Sequence, residues 1–77
     1  METAEFIANV EEQFMETDPG TIQMNTEFRN IEEWSSLIAL MLIAMVDEKY
    51  NVVLTGDDIR NSNTIQDLYD KVSSKIN

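Results

Sequence analysis

The 77-residue chain has no cysteine and no histidine, one proline, two glycines and only five basic residues. Without cysteine there is no disulfide framework, no thiolate metal site and no thiol nucleophile. Without histidine the commonest general base and the commonest transition-metal ligand are both missing. A Ser-His-Asp triad cannot be built, nor can a histidine-containing zinc site. No metal centre is expected, and the chain reads as a non-enzyme. Five bases against fifteen acids leave a formal charge of −10. That balance argues against nucleic acid or anionic lipid as a partner, since either needs clustered Lys and Arg. It favours solubility and steering toward basic protein surfaces. Long apolar runs are also lacking. The longest, Leu37 to Val46, is about half of a bilayer span, so no membrane insertion is expected. Met1 to Ala8 has neither a basic stretch nor an apolar core, so no signal peptide is expected. The expectation is a cytoplasmic monomer with a single domain over residues 1–77. A chain of this length buries only about 60% of its extended surface, which limits its stability to a few kcal/mol.

What is present is helical periodicity. Residues 3 to 16 place Phe6, Ile7, Val10 and Phe14 on one face, with Glu5, Glu11, Glu12 and Glu16 elsewhere. This helix should stop near Thr17, because Asp18-Pro19-Gly20 combines both breakers. From Thr17 to Trp34 the apolar residues are irregularly spaced and predict no regular helix, only a short turn near Ile31. Ile22, Phe28, Ile31 and Trp34 would anchor this long connection, since a floppy linker seldom carries such residues.

The second helix is predicted from Ser36 to Tyr50, with Ser35 as its N-cap. The helical repeat puts Leu37, Leu40, Met41, Ala44 and Met45 toward the core, with Ile38, Leu42, Ile43 and Val46 on the flanks. A helix apolar nearly all round is either fully buried or presents a sticky face, and both readings are open. Met41, Ala44 and Met45 could alternatively line an adaptable pocket between helices. Asn51 to Leu54 has β-branched content but no second strand to pair with, so it reads as an extended connection. Thr55 or Gly56 with Asp57-Asp58 opens a short helix to Asn61. A last helix runs from Thr64 to about Ile76, with Ile65, Leu68, Tyr69, Val72 and Ile76 in one stripe. Thr64 and Asp67 approximate a capping box, and Lys71 and Lys75 complement the dipole at the far end.

The most unusual feature is the pair of hydroxyls at Ser35-Ser36, placed where the most apolar helix begins. Plain capping is the bland reading of such a pair. The wider pattern adds to it. Ser36-Leu37 opens the long helix and Asp47-Glu48-Lys49-Tyr50 closes it. Val52 and Leu54 then precede Gly56-Asp57-Asp58-Ile59, followed by Thr64-Ile65 and Asp67-Leu68. In this order, and without insertion from Ser36 through Val72, the chain resembles the acyl carrier proteins of the phosphopantetheine-binding family over nearly its whole length.

The resemblance implies an all-α fold, a small four-helix bundle of three main helices and one short one. It implies that Ser36 carries 4′-phosphopantetheine, with Ser35 the second choice. A separate phosphopantetheinyl transferase would transfer that arm from coenzyme A. Its thiol would hold acyl groups as thioesters for acyl-processing or synthase enzymes, in fatty acid, polyketide, amino acid or lipid-modifying pathways. The chemistry is consistent with the residues: a phosphodiester at a helix N-terminus meets unpaired amides, and a carrier without cysteine imports its thiol. Family members usually have aspartate where this chain has Ser35, and often an acid at the positions of Ile38 and Met41. The expected docking surface is therefore Leu37, Ile38 and Met41 ringed by Glu32, Glu33, Asp47, Glu48, Asp57 and Asp58, with more apolar contact than the family norm. The alternative is an unmodified carrier-like interaction module that has lost the prosthetic group.

Overall fold

The computed structural model describes residues Met1–Ile76. Four α-helices occur in the order α1 (Thr3–Glu11), α2 (Ser36–Tyr50), α3 (Gly56–Arg60) and α4 (Ile65–Lys75), with a 3-10 turn at Phe28–Asn30 before α2. There is no strand among the described residues, only an isolated antiparallel bridge between Glu27 and Thr64. None of the described helices is long and apolar enough to cross a membrane. Side chains from all four helices and both long connections meet in one core. Phe6, Val10, Phe28, Ile65, Leu68 and Val72 are each 1% exposed or less.

α1 is shorter than the sequence predicts. It ends at Glu11 rather than near Thr17, and tighter i→i+3 bonds take over, from Gln13 N to Val10 O and from Phe14 N to Glu11 O, each 3.0 Å. The cause is tertiary. The Glu11 carboxylate accepts from the amide of Gly20 at 2.7 Å, so the Asp18-Pro19-Gly20 turn folds back onto the helix end. Gly20 makes that turn with φ +89°, a conformation a side chain would strain. Phe14 still reaches the core.

The long connection between α1 and α2 is tied down by its backbone as well as by its apolar residues. Its carbonyls at Thr26 and Met24 accept from the amides of Ile65 and Gln66 at 3.1 and 2.8 Å. Those donors belong to the first turn of α4, which has no partner inside its own helix. Thr64 and Asp67 complete the same end as a capping box, and Thr55 and Asp58 do likewise for α3.

α2 has the boundaries expected of it, but most of its buried face is the expected flank; of the residues expected to face the core, Met45 alone is buried. The core takes Ile38, Leu42, Met45 and Val46, whereas Leu37 and Leu40 are 64% and 63% exposed. Met41 is half-buried and Ala44 is exposed. Ten consecutive apolar residues carry almost no directional signal, so the neighbours choose the face. Asn51 ends the helix in the left-handed region, with φ 55°. The segment after it buries Val52 and Leu54 and exposes Val53, as an extended connection should. α4 buries Ile65, Leu68 and Val72 as predicted; it stops at Lys75, and Ile76 lies outside it, 41% exposed.

Candidate functional site

The start of α2 is held by aromatic packing behind it. Trp34 lies against Phe28 at a centroid distance of 4.9 Å and stacks on Phe14 at 6.4 Å. From that anchor the chain enters Ser35, the N-cap, whose Oγ accepts from the amide of Ile38 at 3.3 Å. The first intrahelical bond runs from Ala39 N to Ser35 O at 3.1 Å. The amides of Ser36 and Leu37 have no partner within the helix and form its positive end. Ser36 is exposed at the first helical position. Both serines are exposed, and the two hydroxyls differ in that the Ser35 one is committed to the cap and the Ser36 one is not.

Ser36 opens on a cleft of 420 Å³ between α2 and α3. Trp34, Ala39, Leu40 and Ile43 form one wall, and Gly56, Ile59 and Arg60 form the other. Arg29 also lines it. Its Nη1 donates to the Ser62 carbonyl and its Nη2 to the Ile59 carbonyl, both at 2.6 Å, and its Cζ lies 4.8 Å from the centre of the Phe28 ring. Neither arginine was singled out in the sequence. Arg29 lies 30 residues from Ile59, and no local pattern announces such a contact.

The acids expected around the site divide into two groups. Glu33 accepts from Glu16 N at 3.0 Å and Thr17 Oγ1 at 2.8 Å, so it braces the loop after α1. Asp57 pairs with Arg60. Asp58 caps α3 and pairs with Lys75 at 2.5 Å. The Lys75 ammonium and the Thr55 amide hold its carboxyl down at about 2, below the ordinary 3.8. Glu32, Asp47 and Glu48 are exposed. Glu32 lies just before the helix; Asp47 and Glu48 lie roughly 17 Å from Ser36 along the α2 axis. Leu37 is on the surface, as the expected docking surface requires and against the core-facing position the helical repeat gives it, but Ile38 is not. It is 5% exposed and packed in the core, which removes it from any docking surface. The exposed apolar residue one turn along from Leu37 is Leu40, which the sequence reading had turned inward.

Comparison with solved structures finds a counterpart. The holo acyl carrier protein from Geobacter metallireducens, determined in solution by NMR, superposes with a TM-score of 0.79, covering 97% of this chain and 86% of that one. The chain has the acyl carrier protein fold. Sequence identity is 22%, so the likeness is one of architecture. No protein-family model matches the chain, and no curated protein matches it. Within the acyl carrier fold, the start of α2 fits a phosphate-bearing group. An exposed hydroxyl sits at a helix end with two unpaired amides, beside a cleft lined by two guanidinium groups and no carboxylate.

Proposed function

We propose that this protein is a carrier of acyl groups, modified at Ser36 with 4′-phosphopantetheine and working in trans with enzymes that load, process and unload the cargo. The observation that carries this reading is the unequal state of the two serines. Both are exposed, but Ser35 Oγ is engaged by the Ile38 amide, while the Ser36 hydroxyl at the positive end of α2 is not used by the cap. Ser36 would bear the phosphodiester, and the free amides of the first turn with Arg29 and Arg60 would balance its charge. The arm, when bound, supplies the thiol for thioester chemistry that a chain without cysteine lacks.

Partners would dock on the exposed side of α2. Glu33 and Asp58 are engaged in internal contacts, so Glu32, Asp47, Glu48 and the exposed Asp57 are the better candidates to meet basic partner groups. Leu37, Leu40 and Met41 would give the apolar part of that surface. The proposed setting is a cytoplasmic monomer, with catalysis left to the partners.

Incubation with coenzyme A and a phosphopantetheinyl transferase, followed by intact-mass measurement, tests the reading. A mass gain that survives Ser35→Ala and disappears in Ser36→Ala is expected. No gain with several transferases would leave the unmodified interaction module as the function. A gain lost only in Ser35→Ala would move the attachment to the other hydroxyl.

A further inference from the structure

The cleft beside Ser36 runs against the charge of the rest of the chain. Acids outnumber bases fifteen to five, yet two of those five bases line this cleft and none of the acids does. The two arginines are held differently. Arg29 is fixed by the carbonyls of Ser62 and Ile59 and reaches Asn63 Oδ1 at 3.5 Å. A guanidinium has five N–H donors, so two remain for a ligand. Because the fork is already immobilised, little further order is lost when it takes one. Arg60 is 73% exposed and paired with Asp57, itself 75% exposed. Such a surface pair has little net stability, and a better-placed anion can displace the aspartate. Apart from Ser36 and Gly56, the rest of the lining is apolar, from Trp34, Ala39, Leu40, Ile43 and Ile59. Arg29 donates to the end of α3, and Arg60 belongs to α3 itself. The short helix thus presents both charges to one side of Ser36.

We infer that this cleft is an oxyanion subsite, in which Arg29 and Arg60 together hold a phosphate or carboxylate group and the uncharged part of the ligand lies against the apolar floor. On the carrier reading, on which its biological use rests, the oxyanion has two sources. It is either the phosphodiester bonded to Ser36 or a carboxylate at the free end of the cargo, as in a dicarboxylic half-thioester. Both present paired oxygens to a guanidinium in the same bidentate way. A carboxylate-tipped cargo folded back along α2 would be held, whereas a neutral cargo of equal length would meet only the apolar floor.

The test reads the Nε–H resonances of Arg29 and Arg60 by NMR. The unmodified chain is titrated with inorganic phosphate at constant ionic strength, with chloride as the reference. This arm needs no transferase and is independent of the carrier reading. Saturable displacement of both resonances is expected. Arg60→Gln should weaken the apparent affinity about fivefold through loss of one charge-assisted contact. Asp57→Asn, which releases Arg60, should tighten it about threefold. Arg29→Lys keeps the charge but not the fork and should also weaken binding, without the loss of α3 packing that a neutral residue risks.

The chain is then charged with the bare arm, with a neutral four-carbon acyl group and with a four-carbon acyl group ending in carboxylate. Displacement by the bare arm assigns the phosphodiester as the occupant. Displacement only by the carboxylate-tipped form assigns the cargo. If phosphate displaces neither resonance and all three charged forms look alike, the inference is overturned. Should intact mass show that Ser36 takes no arm, the carrier reading fails and the phosphate titration alone decides the subsite.

Discussion

Two hollows of opposite character share the segment from Ile31 to Ser36. Ile31, Glu32 and Glu33 line a groove of 640 Å³ with Glu16, Asp18 and two threonines. Trp34 and Ser36 line the 420 Å³ cleft, where the charged groups are Arg29 and Arg60. The acidic groove is the larger, yet no cluster among the described residues is arranged to hold a metal ion. One of its acids, Glu33, is used to brace the loop behind it. The smaller cleft holds Ser36, an exposed hydroxyl at the N-terminus of α2 that the cap does not use. Size and total charge are therefore poor guides to the site. What marks it is local charge opposite to that of the chain, next to a free hydroxyl and an apolar floor.

Four stability measurements can break or sharpen this contrast, all read by chemical or thermal unfolding. The largest effect should come from Phe28, which carries the Arg29 guanidinium on one side and packs on Trp34. It is fully buried, so Phe28→Ala should cost about 4 kcal/mol and disorganise both hollows together. A loss confined to one of them would mean that they are not supported in common. Glu33→Ala should cost about 1 kcal/mol, because it removes the carboxylate that accepts from the solvent-exposed Glu16 amide and the half-buried Thr17 hydroxyl on the groove side. The cleft and the charging of Ser36 should be unaffected. A change in Ser36 modification rate would show the two sides to be coupled.

Ser35→Ala removes the cap and should cost about 1 kcal/mol. Stability unchanged by that substitution would contradict the role given to Ser35. The smallest effect is expected from acid. Asp58, on the cleft side, titrates at about 2 in the folded chain against an ordinary 3.8. A depressed folded value means that its stabilisation is complete above about pH 4 and is lost as pH falls toward 2. Solvent around the Asp58–Lys75 pair limits the contribution to about 1 kcal/mol. Lys75→Met should remove much of this increment, seen as a flatter stability profile between those pH values. An unchanged profile would show that capping alone, not Lys75, holds Asp58 ionised.

The legibility of the sequence varied with the range of the interaction. The caps at Ser35 and Thr64 could be read, and the start of α3 narrowed to Thr55 or Gly56, because each cap joins groups three residues apart. The α4 stripe was readable for the same reason: polar residues separate Ile65, Leu68 and Val72 and so mark the buried side. α2 was readable in extent and misread in orientation. Its apolar run offers every face equally, and only the positions of α1 and the Ile22–Phe28 connection decide that Ile38 goes in and Leu40 stays out. The end of α1 was misjudged because it depends on the Gly20 amide returning to Glu11. The arginine pair was missed because Arg29 meets the end of α3 only after the long connection has wrapped across α4.

By itself, then, the sequence determined that the chain is helical, where its capped helices begin, and that any thiol or imidazole chemistry must come from elsewhere. Those properties rest on residue type and on contacts within one helical turn. Tertiary structure decided which face of α2 is outward, which acids are occupied internally, and that two of five bases converge beside Ser36. Such outcomes depend on contacts spanning about thirty residues, as between Arg29 and Ile59. No local propensity encodes those contacts, and only the closing of the core brings their partners together.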